Sequence, residues 1–145
     1  MKTIKFQKLR DVKSPERGTS KSAGIDFFIP SDYSPVFLHK GMDAIIPSGI
    51  RVKIPEGYAL IAFNKSGVAK KGLSIGACVV DEDYTGEIHL HVYNRGLNSV
   101  RLVPGQKLVQ FILIPVCYAN LEEDEKLSFR PTERGSGAFG STGEY

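Results

Sequence analysis

Fifteen glycines and eight prolines are spread through 145 residues so evenly that hardly any apolar pattern at three-to-four spacing survives for three turns. Glycine weakens a helix interior and proline breaks one, so this punctuation leaves only short extended segments as building blocks. What lies between the breaks alternates with period two. In "GIRVKIPEG", Ile50, Val52 and Ile54 oppose Arg51 and Lys53, the pattern of a strand with one dry face. "EIHLHVYN" sets Ile88, Leu90 and Val92 against Glu87, His89, His91 and Tyr93 in the same way. "KLVQFILIP" is almost continuously apolar and predicts a strand covered on both faces. "PSG", "PEG", "NRG" and "VPG" mark turns between such strands. "VVDEDYTGEI" predicts a hairpin closing at Thr85-Gly86. A turn at Asp83 to Gly86 would set Val80 opposite His89 and Cys78 opposite His91, with Cys78 and both histidines on one face. The sole helical candidate is a short turn around "SGVAKKG". The reading is an all-β barrel or sandwich of many short strands.

A chain of this length, 41% hydrophobic, has material for one core and not comfortably for two. The formal net charge is only +3, with basic residues scattered, so no nucleic-acid partner is expected. Cys78 and Cys117 lie far apart and form no zinc-type spacing, which fits a reducing compartment. The first residues lack the apolar run of a signal peptide, and "LVQFILIPVCYA" is interrupted by Gln110 and Pro115. Neither a membrane partner nor export is expected, and the predicted location is cytoplasmic or another intracellular compartment. The first two dozen residues and the last dozen are predicted to be mobile ends.

Four stretches and the tail carry chemistry. "DEDYTG" places Asp81, Glu82 and Asp83 beside Tyr84; carboxylates are ordinary in turns, but Asp81 follows "CVV" and so leaves a strand end, where it can orient and deprotonate water. "NKSGVAKKG" offers an ammonium at Lys65, a hydroxyl at Ser66 and an approachable backbone at Gly67, a small phosphate cradle that lacks P-loop spacing. Asp26 in "SAGIDFFIP" reads as a turn residue or a metal contact. Gln110 interrupts an apolar strand, and a buried amide must bond either to backbone or to a ligand. The ending "RGSGAFGSTGEY" joins one guanidinium and one aromatic ring to many free donors, which suits a ligand carrying both phosphates and a flat ring.

Taken in order, "AGIDF", "KSGVA", "GACVVDEDYTGEI", "GQKLVQFI" and "RGSGAFGSTG" resemble the five motifs of the trimeric dUTP nucleotidohydrolase (dUTPase) family across nearly the whole chain. The resemblance implies a jelly-roll, β-barrel-like subunit of the β-clip type, assembled as a homotrimer. Residues 1–133 would form the barrel and 134–145 a flexible lid. It also implies hydrolysis of dUTP at the α-phosphorus to dUMP and pyrophosphate, with Mg²⁺ on the triphosphate. Asp81 then matches the water-activating base and Tyr84 the aromatic under the deoxyribose. Lys65, Ser66, Gly67 and Gln110 match phosphate contacts, and Asp26 an acidic residue that meets the metal through water. Cys78, Val79, Val80 and His89 fall on the strands between which uracil inserts. In the lid, Arg134 would meet the γ-phosphate, Phe139 would stack on the pyrimidine, and Gly140, Ser141 and Thr142 would close over the phosphates.

The chain also departs from the commonest family pattern. Lys65 stands for an arginine and loses its bidentate fork, and Ala138 replaces a glycine beside Phe139. Cys78 replaces a glycine, and His89 and His91 replace small or apolar residues. These last three are either side chains turned away from a pocket read by backbone, or a retuning toward a 5-substituted dUTP or dCTP. A metal site at Cys78, His89 and His91 is a third alternative. Deamination of dCTP would need a carboxylate where His91 stands. A binding protein without turnover would have lost Asp81 or the tail, and both are present.

Overall fold

The computed structural model describes all 145 residues. Eleven strands and one helical turn follow in order: β1 (Lys5–Lys8), β2 (Ile25–Phe28), β3 (Val36–Leu38), β4 (Asp43–Pro47), β5 (Ile50–Lys53), β6 (Tyr58–Phe63), α1 (Ser66–Ala69), β7 (Leu73–Ile75), β8 (Val79–Val80), β9 (His89–Asn94), β10 (Val100–Leu102) and β11 (Lys107–Pro115). Every strand pairing is antiparallel, in ladders β1-β5, β10-β3, β2-β11-β6-β8 and β4-β9-β7. No helix is long and apolar enough to cross a membrane.

The period-two segments bury the face their pattern selects. Ile88, Leu90 and Val92 are sealed in the core, as are Ile50 and Ile54, while His89, Arg51 and Lys53 stay outside. One cluster of buried side chains runs through Phe27, Ile29, Ile46, Leu60, Leu90, Leu102, Leu108 and Phe111, so the ladders enclose a single core. Phe27 and Phe111 meet edge to face at 4.7 Å between ring centroids, the arrangement that ring quadrupoles favour. The strand at 107–115 departs from its apolar pattern. Leu108, Val109 and Phe111 are buried, but Ile112, Leu113 and Ile114 are only half covered.

Two expectations are corrected here. The first two dozen residues are not a loose end: β1 pairs with β5, Val12 is buried, and the Leu9 N–H donates to the Gly49 carbonyl. Val12 is part of the core and Ile4 packs against it, so this segment has apolar surface to bury despite its polar composition. The hairpin arms, moreover, do not pair with each other. β7 pairs with β9 with Ile75 opposite Val92, and then the chain leaves that ladder so that β8 joins β6, with Val80 opposite Leu60. The arms splay because Val80 has a place in the core beside β6 that pairing with β9 would deny it.

Beyond Pro115 there is no strand or helix. The Val116 N–H still reaches the Gly57 carbonyl and the Tyr118 hydroxyl reaches Glu82. After Tyr118 every hydrogen bond spans only two or three residues.

Candidate active site

The splayed arms leave a cleft of about 230 Å³ lined by Cys78, Val79, Val80, Asp81, Tyr84, Glu87, His89 and Phe111 among others. Six positions singled out from the sequence, Cys78, Val79, Val80, Asp81, Tyr84 and His89, thus surround one space. Val80 is buried and anchors the strand end, while Asp81 is exposed at the rim and its carboxylate accepts no hydrogen bond within the chain. Its lone pairs are therefore available to a ligand or a water. Tyr84 is held in place by its hydroxyl, which donates to the Glu87 carbonyl at 2.8 Å. A Cβ at Gly86 would come within 2.6 Å of that hydroxyl, so the ring's position requires glycine there.

The three neighbouring carboxylates have different environments. Glu82 accepts the Gly57 N–H at 2.6 Å and the Tyr118 hydroxyl at 2.7 Å. Those donors, the tyrosine first, hold its carboxyl below the usual range, and in return the Tyr118 hydroxyl is pushed up to about 12. Glu82 thereby pins the turn to the β5-β6 connection and to the start of the tail. Asp83 is exposed.

A second polar group lies elsewhere. Asp26 is 3% exposed, with Lys65 Nζ 2.9 Å from Oδ1 and Lys107 Nζ 3.3 Å from Oδ2. Lys107 also meets Glu16 at 2.9 Å. Asp26 is directly opposite Gln110 across the β2-β11 ladder. Gln110 donates one amide hydrogen to the Asn64 carbonyl at 2.8 Å, which leaves the rest of the amide without a partner in the chain, and a Cβ at Gly24 would collide with its Oε1. Asn64 precedes Lys65 and α1, so this bond ties β11 to the "KSGVA" turn, where Ser66 and Gly67 are exposed.

Within this chain the two groups do not converge. Gln110 belongs to the Asp26 group, whereas its neighbour Phe111 lines the Asp81 cleft. Successive strand residues project to opposite faces, so β11 separates them. The tail reaches neither: Phe139 is fully exposed and Arg134 bonds only to the Gly137 carbonyl. Gly140, Ser141 and Thr142 are exposed with it.

The single face proposed for Cys78, His89 and His91 also does not form. His89 lines the cleft and bonds back to the Glu87 carbonyl at 3.0 Å, while His91 is turned to Asp43 and the Ala77 amide. No three His, Cys, Asp or Glu side chains are grouped so as to hold a metal ion. The register explains this, since the splay carries Cys78 away from His91 before the two can face each other.

Sequence reasoning missed the brace beneath the cleft. Glu87 receives Arg10 Nε at 2.8 Å and the Gly49 N–H at 2.8 Å, and Arg10 also reaches Asp32. The Arg10 hydrogen bond holds the Glu87 carboxyl below the usual range and raises the guanidinium in turn. No local signal marks this brace, because its partners are 77 residues apart.

This fold of short antiparallel strands has parallels among known proteins. Residues 10–143 match the dUTPase family. The deoxyuridine 5'-triphosphate nucleotidohydrolase of Mus musculus is 34% identical over 98% of this chain and 86% of its own length, and that of Burkholderia mallei is 38% identical over 89% and 88%. A mutant dUTPase of Staphylococcus bacteriophage 80alpha, solved with dUpNHpp, superposes with a TM-score of 0.85 at 26% identity, covering 97% of this chain and 98% of that one. The chain belongs to the dUTPase family. Its activity is that of a dUTP pyrophosphatase, an enzyme that hydrolyses dUTP.

Proposed function

We propose that Asp81 is the general base of this hydrolysis and that the working site is completed by other copies of the chain in a homotrimer. The observation that carries the first part is the Asp81 carboxylate itself, unpaired at the rim of the cleft. It takes a proton from a water whose oxygen bonds to the α-phosphorus. The α–β bridging P–O bond breaks, and pyrophosphate leaves. Tyr84 supports the deoxyribose and has no freedom to leave, because its hydroxyl is bonded to the Glu87 carbonyl. The base enters between the arms at Cys78, Val79, Val80 and His89.

Support for assembly comes from the separation of the two polar groups by β11. A substrate at Asp81 needs phosphate contacts from Lys65, Ser66, Gly67 and Gln110, and none of these lines the Asp81 cleft within one subunit. The lid, residues 134–145, has its anchors Arg134 and Phe139 off its own barrel, which suits closure over a neighbour's site. Closure excludes water and adds the Gly140, Ser141 and Thr142 donors, strengthening every contact to the phosphates.

Mg²⁺ fits the donor set present here. This ion keeps most of its waters and takes few protein ligands. The chain has no cage of acidic side chains, which suits an ion carried in on the triphosphate, whereas Asp26, buried with both oxygens engaged by lysine ammonium groups, would meet its waters only if those ion pairs opened. When bound, the ion neutralises triphosphate charge.

The test is pyrophosphate release from dUTP, dCTP and dTTP with Mg²⁺, for the native chain and for Asp81→Asn. Loss of turnover with nucleotide binding retained supports the base; unchanged turnover overturns it. A preference for dUTP by orders of magnitude eliminates the retuned pocket.

A further inference from the structure

We propose that His91 is a positioning residue for base recognition: its Nδ1 holds the Ala77 amide and thereby sets the strand segment that lines the cleft. The inference rests on the reading of that cleft as the base pocket. His91 stands where the arms part. The Gly76 N–H donates to the His91 carbonyl at 2.8 Å, the last rung before the chain leaves β9. One residue later the rung is made by the side chain instead, with the Ala77 N–H donating to Nδ1 at 3.1 Å. Because Nδ1 faces a donor it must accept, so the ring carries its proton on Nε2. That proton is donated to Asp43 Oδ2 at 2.9 Å, which fixes the tautomer from β4.

The ring has little room to choose otherwise. His91 is 13% exposed at its side chain, its ring lies 4.7 Å from Tyr93, and a Cβ at Gly76 would collide with Nδ1. Gly76 is therefore glycine to admit the imidazole. The consequence reaches the cleft through two adjacent residues. Ala77 and Cys78 both line it, the Cys78 carbonyl is taken by the Ala62 N–H, and the Cys78 N–H has no acceptor in the chain. With Ala77 tied on one side and the Cys78 carbonyl on the other, the backbone of this cleft-lining residue is fixed and its unbonded N–H is left for an occupant. His91 thus acts on the base without touching it.

The His91→Asn and His91→Gln variants separate this role from bulk. Asparagine can place an oxygen near Nδ1 and keep the Ala77 contact; glutamine reaches toward Asp43 and loses it. Steady-state hydrolysis of dUTP should show KM raised about tenfold in His91→Ala and His91→Gln with kcat within about twofold, the equivalent of one hydrogen bond. His91→Asn should fall within about threefold of the native KM. Amide hydrogen exchange without nucleotide should show Ala77 deprotected in His91→Ala and not in His91→Asn. Asp43→Ala, at a half-exposed position, should raise KM by about threefold and serves if His91→Ala does not fold. Unchanged Ala77 exchange in His91→Ala would show that the histidine positions nothing. Deprotection of Ala77 with KM unchanged would overturn the inference through the pocket reading. Equal impairment in His91→Asn and His91→Ala would also refute it.

Discussion

Asp26 and Asp81 both follow or enter apolar strands and both are carboxylates in recognisable motifs, yet the fold treats them oppositely. Asp26 is 3% exposed and held between the ammonium groups of Lys65 and Lys107. Asp81 is exposed and its carboxylate accepts nothing from the chain, although its backbone carbonyl takes the Tyr84 N–H. A buried charge without partners is expensive, so Asp26 can exist only with its lysines. Those bonds commit it to holding β2, β11 and the "KSGVA" turn in place. Asp81 remains free to take a proton, and its position is secured through its neighbours: Val80 in the core on one side, Glu82 bonded to Gly57 and Tyr118 on the other.

The largest predicted effect is at the free carboxylate. Asp81→Asn should lower kcat by about 10³-fold or more while thermal stability and nucleotide binding hold, because it removes a proton acceptor and no contact. Removal of residues 134–145 should cost about 10²-fold in turnover with Tm unchanged, since the tail makes no long-range hydrogen bond to its own barrel. Full activity in that truncation would end the lid proposal. Asp26→Asn should do the reverse of Asp81→Asn, lowering stability by about 1–3 kcal/mol in denaturant unfolding by leaving two lysines side by side. A loss of turnover with native stability in that variant would erase the distinction between the two carboxylates.

The smallest effect concerns Glu82, the committed carboxylate next to the free one. Its carboxyl is held below the usual range, so its contribution is present above the ordinary glutamate value and lost as pH falls through the lowered one. Tyr118 is raised instead; its contribution is present below the ordinary tyrosine value and disappears as pH rises through about 12. Glu82→Gln should therefore flatten a small fall in Tm at both ends of the pH range. An identical Tm profile in native and variant proteins would show that the latch carries no stability.

Much of this arrangement was legible in advance. Period-two burial in "GIRVKIPEG" and "EIHLHVYN" identifies the inner face of β5 and β9, and the short turn at "SGVAKKG" is α1. The grouping of Cys78, Val79, Val80, Asp81, Tyr84 and His89 also follows from one local stretch. The register did not follow. Alternation says which face a residue takes and nothing about which strand it will pair with, so the departure of β8 from β9 to β6 was invisible. The order of the N-terminal segment was hidden for a related reason: its charged composition conceals that Val12 is a core residue, because the backbone it packs beside, at Gly49, lies some forty residues away.

The strand class, the inward face of the alternating segments, the motif residues and, through their order, the family are all written in local spacing. These depend on spacing within a few residues, where backbone geometry is decided by local sterics and burial. Asp26 is committed and Asp81 free, Gln110 and Phe111 face different sites, Arg10 braces Glu87, and His91 bonds Ala77 rather than facing Cys78 only because of how the chain packs. Each of those outcomes depends on which distant segment reaches a side chain first, a competition among long-range partners that no local pattern records.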